Sequence, residues 1–355
     1  MTMYLYGAGI VAYGAYKAIR ELFGMTVKGF IVTDKEGQPC QIDKVPVFSL
    51  GECEEQLSDS LIIIAVPAEY QDSIEWELIR RGMSHGIPFG YIKLDSHSEY
   101  ELMGRYLRKV LKLSLIEDYE TAGNRGYLEN ICIYMAVSHR DKKLSRRYEE
   151  EPWIQKIQVG AALTNVKISE ATDQGEDSLS LKNELYGELT ATYYAWRYNR
   201  SAITGIFHYR RVLEVSGEQL YLIEAGMIDV ILPLPFVCFP DASGQYGRYL
   251  LPQDIEIMER VLEEREPEEY GRLAAILKTP YLYNYNMLVA RKEVFDDYCS
   301  WLFPLLEEIT DRCEREKRMR KPRYIGRIGE VLTSLYFMRN KKNWRITHGE
   351  KIWRV

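Results

Sequence analysis

No apolar run in this chain is long enough to cross a bilayer. The longest, such as Leu61 to Pro67 and Val230 to Pro240, are too short or too rich in proline. The start, M-T-M-Y-L-Y-G-A-G, lacks the basic segment of a secretory leader, so no leader is expected and membrane contact is at most peripheral. An excess of positive charge is also lacking. A net charge of −6 excludes the broad positive field of a nucleic-acid binder, so any cations that matter must act locally. The six cysteines, Cys40, Cys53, Cys132, Cys238, Cys299 and Cys313, form no C-x-x-C pair and have no histidine at metal-site spacing. They read as reduced thiols, and the protein as cytoplasmic.

What is there suits a globular protein of two domains. At 355 residues, 46% hydrophobic and 28% charged, the chain can bury two cores. The first, residues 1–120, opens with a short strand running into G-A-G-I-V-A. Gly7 permits the tight turn, Gly9 lets a phosphate approach the backbone, and the small Ala12 lets helix and strand pack closely. A second strand ends at Asp34, about where a ribose-binding acid belongs, although Asp34 equally suits a turn. With G-F-I-V-T-D and I-I-I-A-V-P further on, this stretch resembles the N-terminal domain of sugar O-acyltransferases and sugar-nucleotide enzymes, which implies a small Rossmann-like parallel sheet. G-A-G-I-V-A alone would also suit an NAD-dependent oxidoreductase, but no Tyr-x-x-x-Lys or His-Asp set accompanies it.

The second domain, residues 121–355, follows the polar connection E-D-Y-E-T-A-G-N-R-G and is organised around Asn183 to Arg211. Leu185, Leu189, Tyr193 and Trp196 recur at helical spacing, with Glu184 and Glu188 near the helix start. A short apolar run broken by Gly205 then stops on His208, Tyr209, Arg210 and Arg211. A helix, a turn and a strand delivering cations at its carboxyl end form the layout of an α/β binding crevice. Read alone, two adjacent arginines also suit a surface ion-pair network. A similar gathering follows I-C-I-Y-M-A-V, at Ser138, His139, Arg140 and Asp141. Gly160 and Ala161 leave room for something flat against the backbone.

D-Q-G-E-D-S-L-S-L-K-N, G-E-L-T-A-T-Y-Y-A-W-R-Y and G-I-F-H-Y-R-R, with R-I-G-E-V-L-T-S-L-Y-F downstream, resemble a group of bacterial capsular-polysaccharide and surface-glycan glycosyltransferases, domain of unknown function family 4422. The resemblance implies a GT-A-like mixed sheet. It also implies a nucleotide-sugar donor, a UDP-sugar in the first instance, and a glycan or lipid-linked acceptor. The donor is then expected to meet Ser138, His139, Gly160, Asp173, Asn183 and Glu188. The family's loop wording is nearer D-x-T-G-D-N-I-S, so Gly175, Asp177 and Ser180 match only in part. Most GT-A enzymes hold a divalent metal with Asp-x-Asp at the end of a central strand; here that end carries His-Tyr-Arg-Arg. Arg210 or Arg211, with His208, is expected to take the metal's electrostatic role, because guanidinium matches phosphate oxygens in bidentate fashion. A metal bound at His208 and a packed structural histidine stay open.

Three further groups complete the expected site. Glu330, near a helix start, suits capping or general-base work on an acceptor hydroxyl. Asn284 and Asn286 suit sugar hydroxyls or a turn backbone. The tail H-G-E-K-I-W resembles the diphosphate-contacting tail of some GT-A glycosyltransferases, with His348 and Lys351 reaching phosphates and Trp353 a sugar or base. The basic run Arg315 to Arg323 is read as a solvated helix end, an anionic lipid being the other reading. Homo-oligomerisation is left open. The reading is a glycosyltransferase of surface-polysaccharide synthesis; the alternative is a non-catalytic sugar-nucleotide-binding or scaffold protein.

Overall fold

The computed structural model describes residues 2–57, 59–120 and 130–354, and the connection at 117–126 falls largely outside them. The chain divides into two compact units, Met1–Leu113 with Phe236–Asp241, and Ser114–Pro235 with Ala242–Arg354. No described helix is long and apolar enough to cross a membrane.

The first unit runs β1 (Thr2–Tyr6), α1 (Ile10–Phe23), β2 (Gly29–Val32), β3 (Gln41–Ile42), β4 (Val45–Ser49), β5 (Ser60–Ile64), α2 (Ala68–Arg80), β6 (Gly90–Lys93) and α3 (Ser96–Leu111). Its strands lie in the order β3-β4-β2-β1-β5-β6, and all neighbours except β3 and β4 are parallel. Leaving out β3, this is the 3-2-1-4-5 sequence of a doubly wound sheet. Parallel strands covered on both faces must be apolar throughout, and L-I-I-I in β5 is. Gly7 has φ +125°, and a Cβ there would fall 2.6 Å from the Ala65 carbonyl oxygen, so only glycine makes this turn. Gly24, at φ +64°, ends α1 by donating to the Arg20 carbonyl. Asp34 is exposed and accepts from the Glu36 amide at 3.0 Å, the local turn that its short carboxylate favours.

The second unit contains β7 (Ile131–Val137), β8 (Ile154–Gln158), β9 (Ala171–Thr172), α4 (Asn183–Tyr186), α5 (Leu189–Tyr198), β10 (Ile203–His208), β11 (Arg211–Leu213), α6 (Gly217–Glu224) and β12 (Val230–Pro233). After β13 (Phe236–Val237), which counts with the first unit, come α7 (Ala242–Tyr246), α8 (Pro252–Arg265), α9 (Tyr270–Leu277), β14 (Tyr281–Leu282) and β15 (Leu288–Arg291). The last elements are α10 (Lys292–Arg315), α11 (Tyr324–Arg339), β16 (Ile346–Gly349) and β17 (Lys351–Trp353). The mixed sheet has the order β16-β12-β15-β10-β7-β8-β9, with β11 joining β10 to β17. β10 runs parallel to β7, and β15 antiparallel to β10.

The single helix expected over Asn183 to Tyr198 is two helices. Gly187 adopts φ +59° and ψ −132°, a region closed to residues with a side chain, and breaks it. α6 covers one sheet face with Leu220, Leu222 and Ile223 against Ile133, Ile203 and Phe207, while α5 and α10 pack on the other. Fully burying a leucine such as Leu189 of α5 contributes about 1.5–3 kcal/mol. Gly205 keeps β10 close to its neighbour: a Cβ would lie 2.9 Å from the Leu288 carbonyl oxygen.

Candidate functional site

Because β7 and β10 are parallel and in register to His208 opposite Ala136, both carboxyl ends open at one level. There the second unit encloses a cavity of about 940 Å³. Its walls are the turn after β7, the end of β10, the residues around Gly187, Tyr285, and the segment 314–330. Nine arginines and lysines line it against five carboxylates, so its field favours an anion.

The turn after β7 is closed by the Ser138 amide, which donates to Asp141 Oδ2 at 2.6 Å. Burial pushes the Asp141 carboxyl up, against that hydrogen bond and the pull of Arg210.

At the centre, His208 is 8% exposed. One ring nitrogen donates to the Tyr285 carbonyl, while Nε2 lies 3.8 Å from Glu188 Oε1 with no hydrogen-bond partner among the described residues. Burial lowers the imidazole to about 4, partly opposed by Glu188, so near neutrality the ring is uncharged. Glu188 behaves oppositely. Burial pushes its carboxyl up, but His208, an ion pair with Arg323 and a 3.0 Å hydrogen bond from Asn286 Nδ2 outweigh this and hold it at about 2. Gly187 makes the ion pair geometrically possible, since a Cβ there would fall 2.6 Å from Arg323 Nε.

Arg211 starts β11 opposite Trp353 of β17. Its guanidinium lies over both rings of the edge-to-face pair Tyr285 and Trp353, at 4.3 and 4.4 Å, and its Nε has no hydrogen-bond partner among the described residues. Burial lowers its pKa. Tyr285 and Asn286 both have positive φ, +77° and +50°, and strain at such positions is held in place by neighbours. Here the Tyr285 amide donates to Asn284 Oδ1 at 3.0 Å and to Glu330 Oε1 at 3.2 Å, and Asn286 Nδ2 also donates to the Gly326 carbonyl at 3.1 Å. Burial pushes the Glu330 carboxyl up, against Arg327 Nη1, which contacts both its oxygens at 3.2 Å. Arg327 in turn lies over Tyr249, in the stretch between α7 and α8.

Of the residues singled out in the sequence, Ser138, Asn183, Glu188, His208, Arg210, Arg211 and Glu330 line the cavity, and His139 does not. Asn286 stands behind the lining and orients Glu188. Trp353 and Lys351 flank the Tyr285 ring beside Arg211, with Lys351 Nζ 5.3 Å from that ring. His348 lies elsewhere, 1% exposed. Its Nδ1 donates to the Ser114 carbonyl at 2.9 Å, and Nε2 accepts from the Tyr283 hydroxyl at 2.8 Å. Asp173 is fully buried and accepts from the Gly160 and Ala161 amides and the Ser180 hydroxyl, so it holds a loop together. The basic run lies at the end of α10 and is exposed at Lys317, Arg318, Lys321 and Arg323, as expected of a solvated helix end, and these residues with Arg320 also line the cavity. Arg327 and Tyr285 were not singled out; for Arg323, named only within the basic run, the signal for its partner was Gly187 preceding a glutamate that needs a cation.

Glu188 and Glu330 are each taken by an arginine, and among the described residues no three His, Cys, Asp or Glu side chains gather as ligands.

A family model described as "Domain of unknown function (DUF4422)" matches residues 133–342. No curated protein matches the chain. Among solved structures, the apo structure of the WbbM bifunctional glycosyltransferase is similar, with a TM-score of 0.53 and 23% identity. The match covers 64% of this chain and 45% of that one, and what it shows is a shared fold.

Proposed function

Because this chain belongs to the family described as domain of unknown function DUF4422 and shares a fold with the glycosyltransferase WbbM, we propose that it is a glycosyltransferase using a nucleotide-sugar donor, UDP-linked in the first instance, and a glycan or lipid-linked acceptor of surface-polysaccharide synthesis. The observation that carries this reading is the pair of buried donor and acceptor atoms without a hydrogen-bond partner among the described residues, Arg211 Nε and His208 Nε2, whose side chains line one cation-lined cavity at the ends of β7 and β10. Native proteins rarely leave such atoms unpaired, because each costs about 1–3 kcal/mol of lost solvation.

In the proposed reaction, Arg210 and Arg211 face the donor's diphosphate. As the bond from the sugar's anomeric carbon to the phosphate oxygen breaks, negative charge grows on the leaving group. Preorganised guanidinium groups stabilise it without reorganising. The acceptor oxygen bonds to the anomeric carbon and its proton passes to His208 Nε2. Glu188, ionised and 3.8 Å away, stabilises the resulting imidazolium, and an anionic donor nearby raises the basicity of a ring that burial has lowered. Arg323 and Asn286 position Glu188. This gives the proton to His208 rather than Glu330, whose oxygens are engaged by Arg327 and the Tyr285 amide.

Donor hydrolysis with and without EDTA is the test. Hydrolysis that persists in EDTA and falls about 10²–10³-fold in Arg211→Ala, with folding intact, supports the proposal. Loss in EDTA would refute this assignment, and UDP binding without turnover of any donor would favour the non-catalytic alternative.

A further inference from the structure

At the mouth of the cavity the ordinary placement of charge and hydrocarbon is inverted. In R-M-R, residues 318–320, Met319 is 95% exposed, while the Arg320 side chain is 6% exposed and bonded to Asp254 at 2.6 Å. Asp254 is itself 1% exposed, so a buried ion pair pins the turn from below. Lys317 has φ +50°, which turns the chain out of α10. Lys317, Arg318 and Lys321, its neighbours along the chain, line the cavity, with Arg318 paired to Glu316 at 3.2 Å. Lys317 and Lys321 meet no carboxylate among the described residues, Lys321 donating instead to the Arg248 carbonyl at 2.9 Å. A lone exposed methionine is unremarkable. One held out by a buried ion pair, with cations as its neighbours along the chain, has the makeup of an interfacial contact: an apolar tip for the headgroup boundary and cations for its phosphates.

We infer that residues 317–321 dock on an anionic bilayer, Met319 entering the headgroup layer and Lys317, Arg318 and Lys321 meeting lipid phosphates, so that the cavity opens toward the membrane. The inference rests on the proposed function for its purpose, since a lipid-linked acceptor would arrive from that side. A soluble nucleotide would match the cations but leave the exposed thioether without a partner.

Flotation of the full chain with phosphatidylcholine vesicles, with and without phosphatidylglycerol, tests it. The wild type should float only with phosphatidylglycerol and release in high salt. Met319→Gln and the double variant Lys317→Glu, Arg318→Glu should each partition at least about tenfold less. Met319→Gln should keep its donor hydrolysis. Absence of flotation, equal flotation with neutral vesicles, wild-type flotation of both variants, or release by UDP would each overturn the inference. Failure here with donor hydrolysis intact leaves the proposed function standing; flotation without UDP binding or hydrolysis removes the function and keeps the surface.

Discussion

His208 and His348 sit in the same unit, both buried, and burial lowers both imidazoles to about 4. The sequence places His348 at the donor's phosphates and His208, with Arg210 or Arg211, in a metal's electrostatic role, a packed structural histidine staying open for His208. Their surroundings differ in one respect. His348 spends both nitrogens on protein partners, the Ser114 carbonyl and the Tyr283 hydroxyl, and stacks on the Tyr283 ring. His208 spends one and, among the described residues, leaves the buried Nε2 without a hydrogen-bond partner, 3.8 Å from Glu188. A buried polar atom that is satisfied holds a fold together, and one left unsatisfied on a residue that lines a cavity is available for chemistry. Tyr283 and Tyr285, two residues apart, repeat the contrast: the first serves the sealed pair, and the second, at positive φ, braces His208 and Arg211.

The largest expected separation is kinetic. His208→Gln should lower transfer by about 10²–10⁴-fold with little change in melting. His348→Ala should keep turnover per folded molecule while losing on the order of 2–4 kcal/mol of stability, from a stranded hydroxyl and carbonyl and the space left behind. Denaturant unfolding alongside donor hydrolysis measures both, and exchanged phenotypes would break the contrast.

The pH dependence comes next. Below its ordinary value of 6.5, an unfolded histidine takes up a proton that His208 and His348 refuse until about 4. The unfolded state therefore binds more protons, and stability falls as pH drops through that window, by on the order of 3 kcal/mol for each histidine. His348→Gln should flatten the decline in urea titrations run across the window, and an unchanged slope would remove His348 from the account. Glu188 acts in the same direction at lower pH. Its stabilisation is present above 4.5 and is lost as pH falls toward about 2.

A smaller effect tests the support of Glu188. Gly187→Ala meets both a forbidden backbone region and the Arg323 guanidinium. It should cost about 1–3 kcal/mol and reduce turnover by loosening the Glu188 ion pair. Full activity in Gly187→Ala would show that Arg323 does not position Glu188.

The legible parts of the sequence were those where local chemistry decides. The Gly7 turn can be read because no other residue makes it, and β10 because an apolar run stopping on His-Tyr-Arg-Arg leaves little choice. The rest depended on distant partners. Nothing near His348 announces that Tyr283 and Ser114 will occupy its nitrogens, and nothing near Arg323 announces Glu188, 135 positions away. The break at Gly187 was hidden inside good helical spacing, since periodicity cannot register a backbone angle. The basic run is legible as an exposed helix end, but its place on the cavity depends on distant partners, Asp254 for Arg320 and Glu188 for Arg323.

Calorimetric titration with UDP of the wild type, Arg211→Ala and His348→Gln tests the central claim most directly. The account predicts that the wild type binds with EDTA present, that Arg211→Ala binds at least about tenfold more weakly, as loss of a charge-assisted contact requires, and that His348→Gln matches the wild type. Undiminished binding by Arg211→Ala, or an equal loss in His348→Gln, would contradict it.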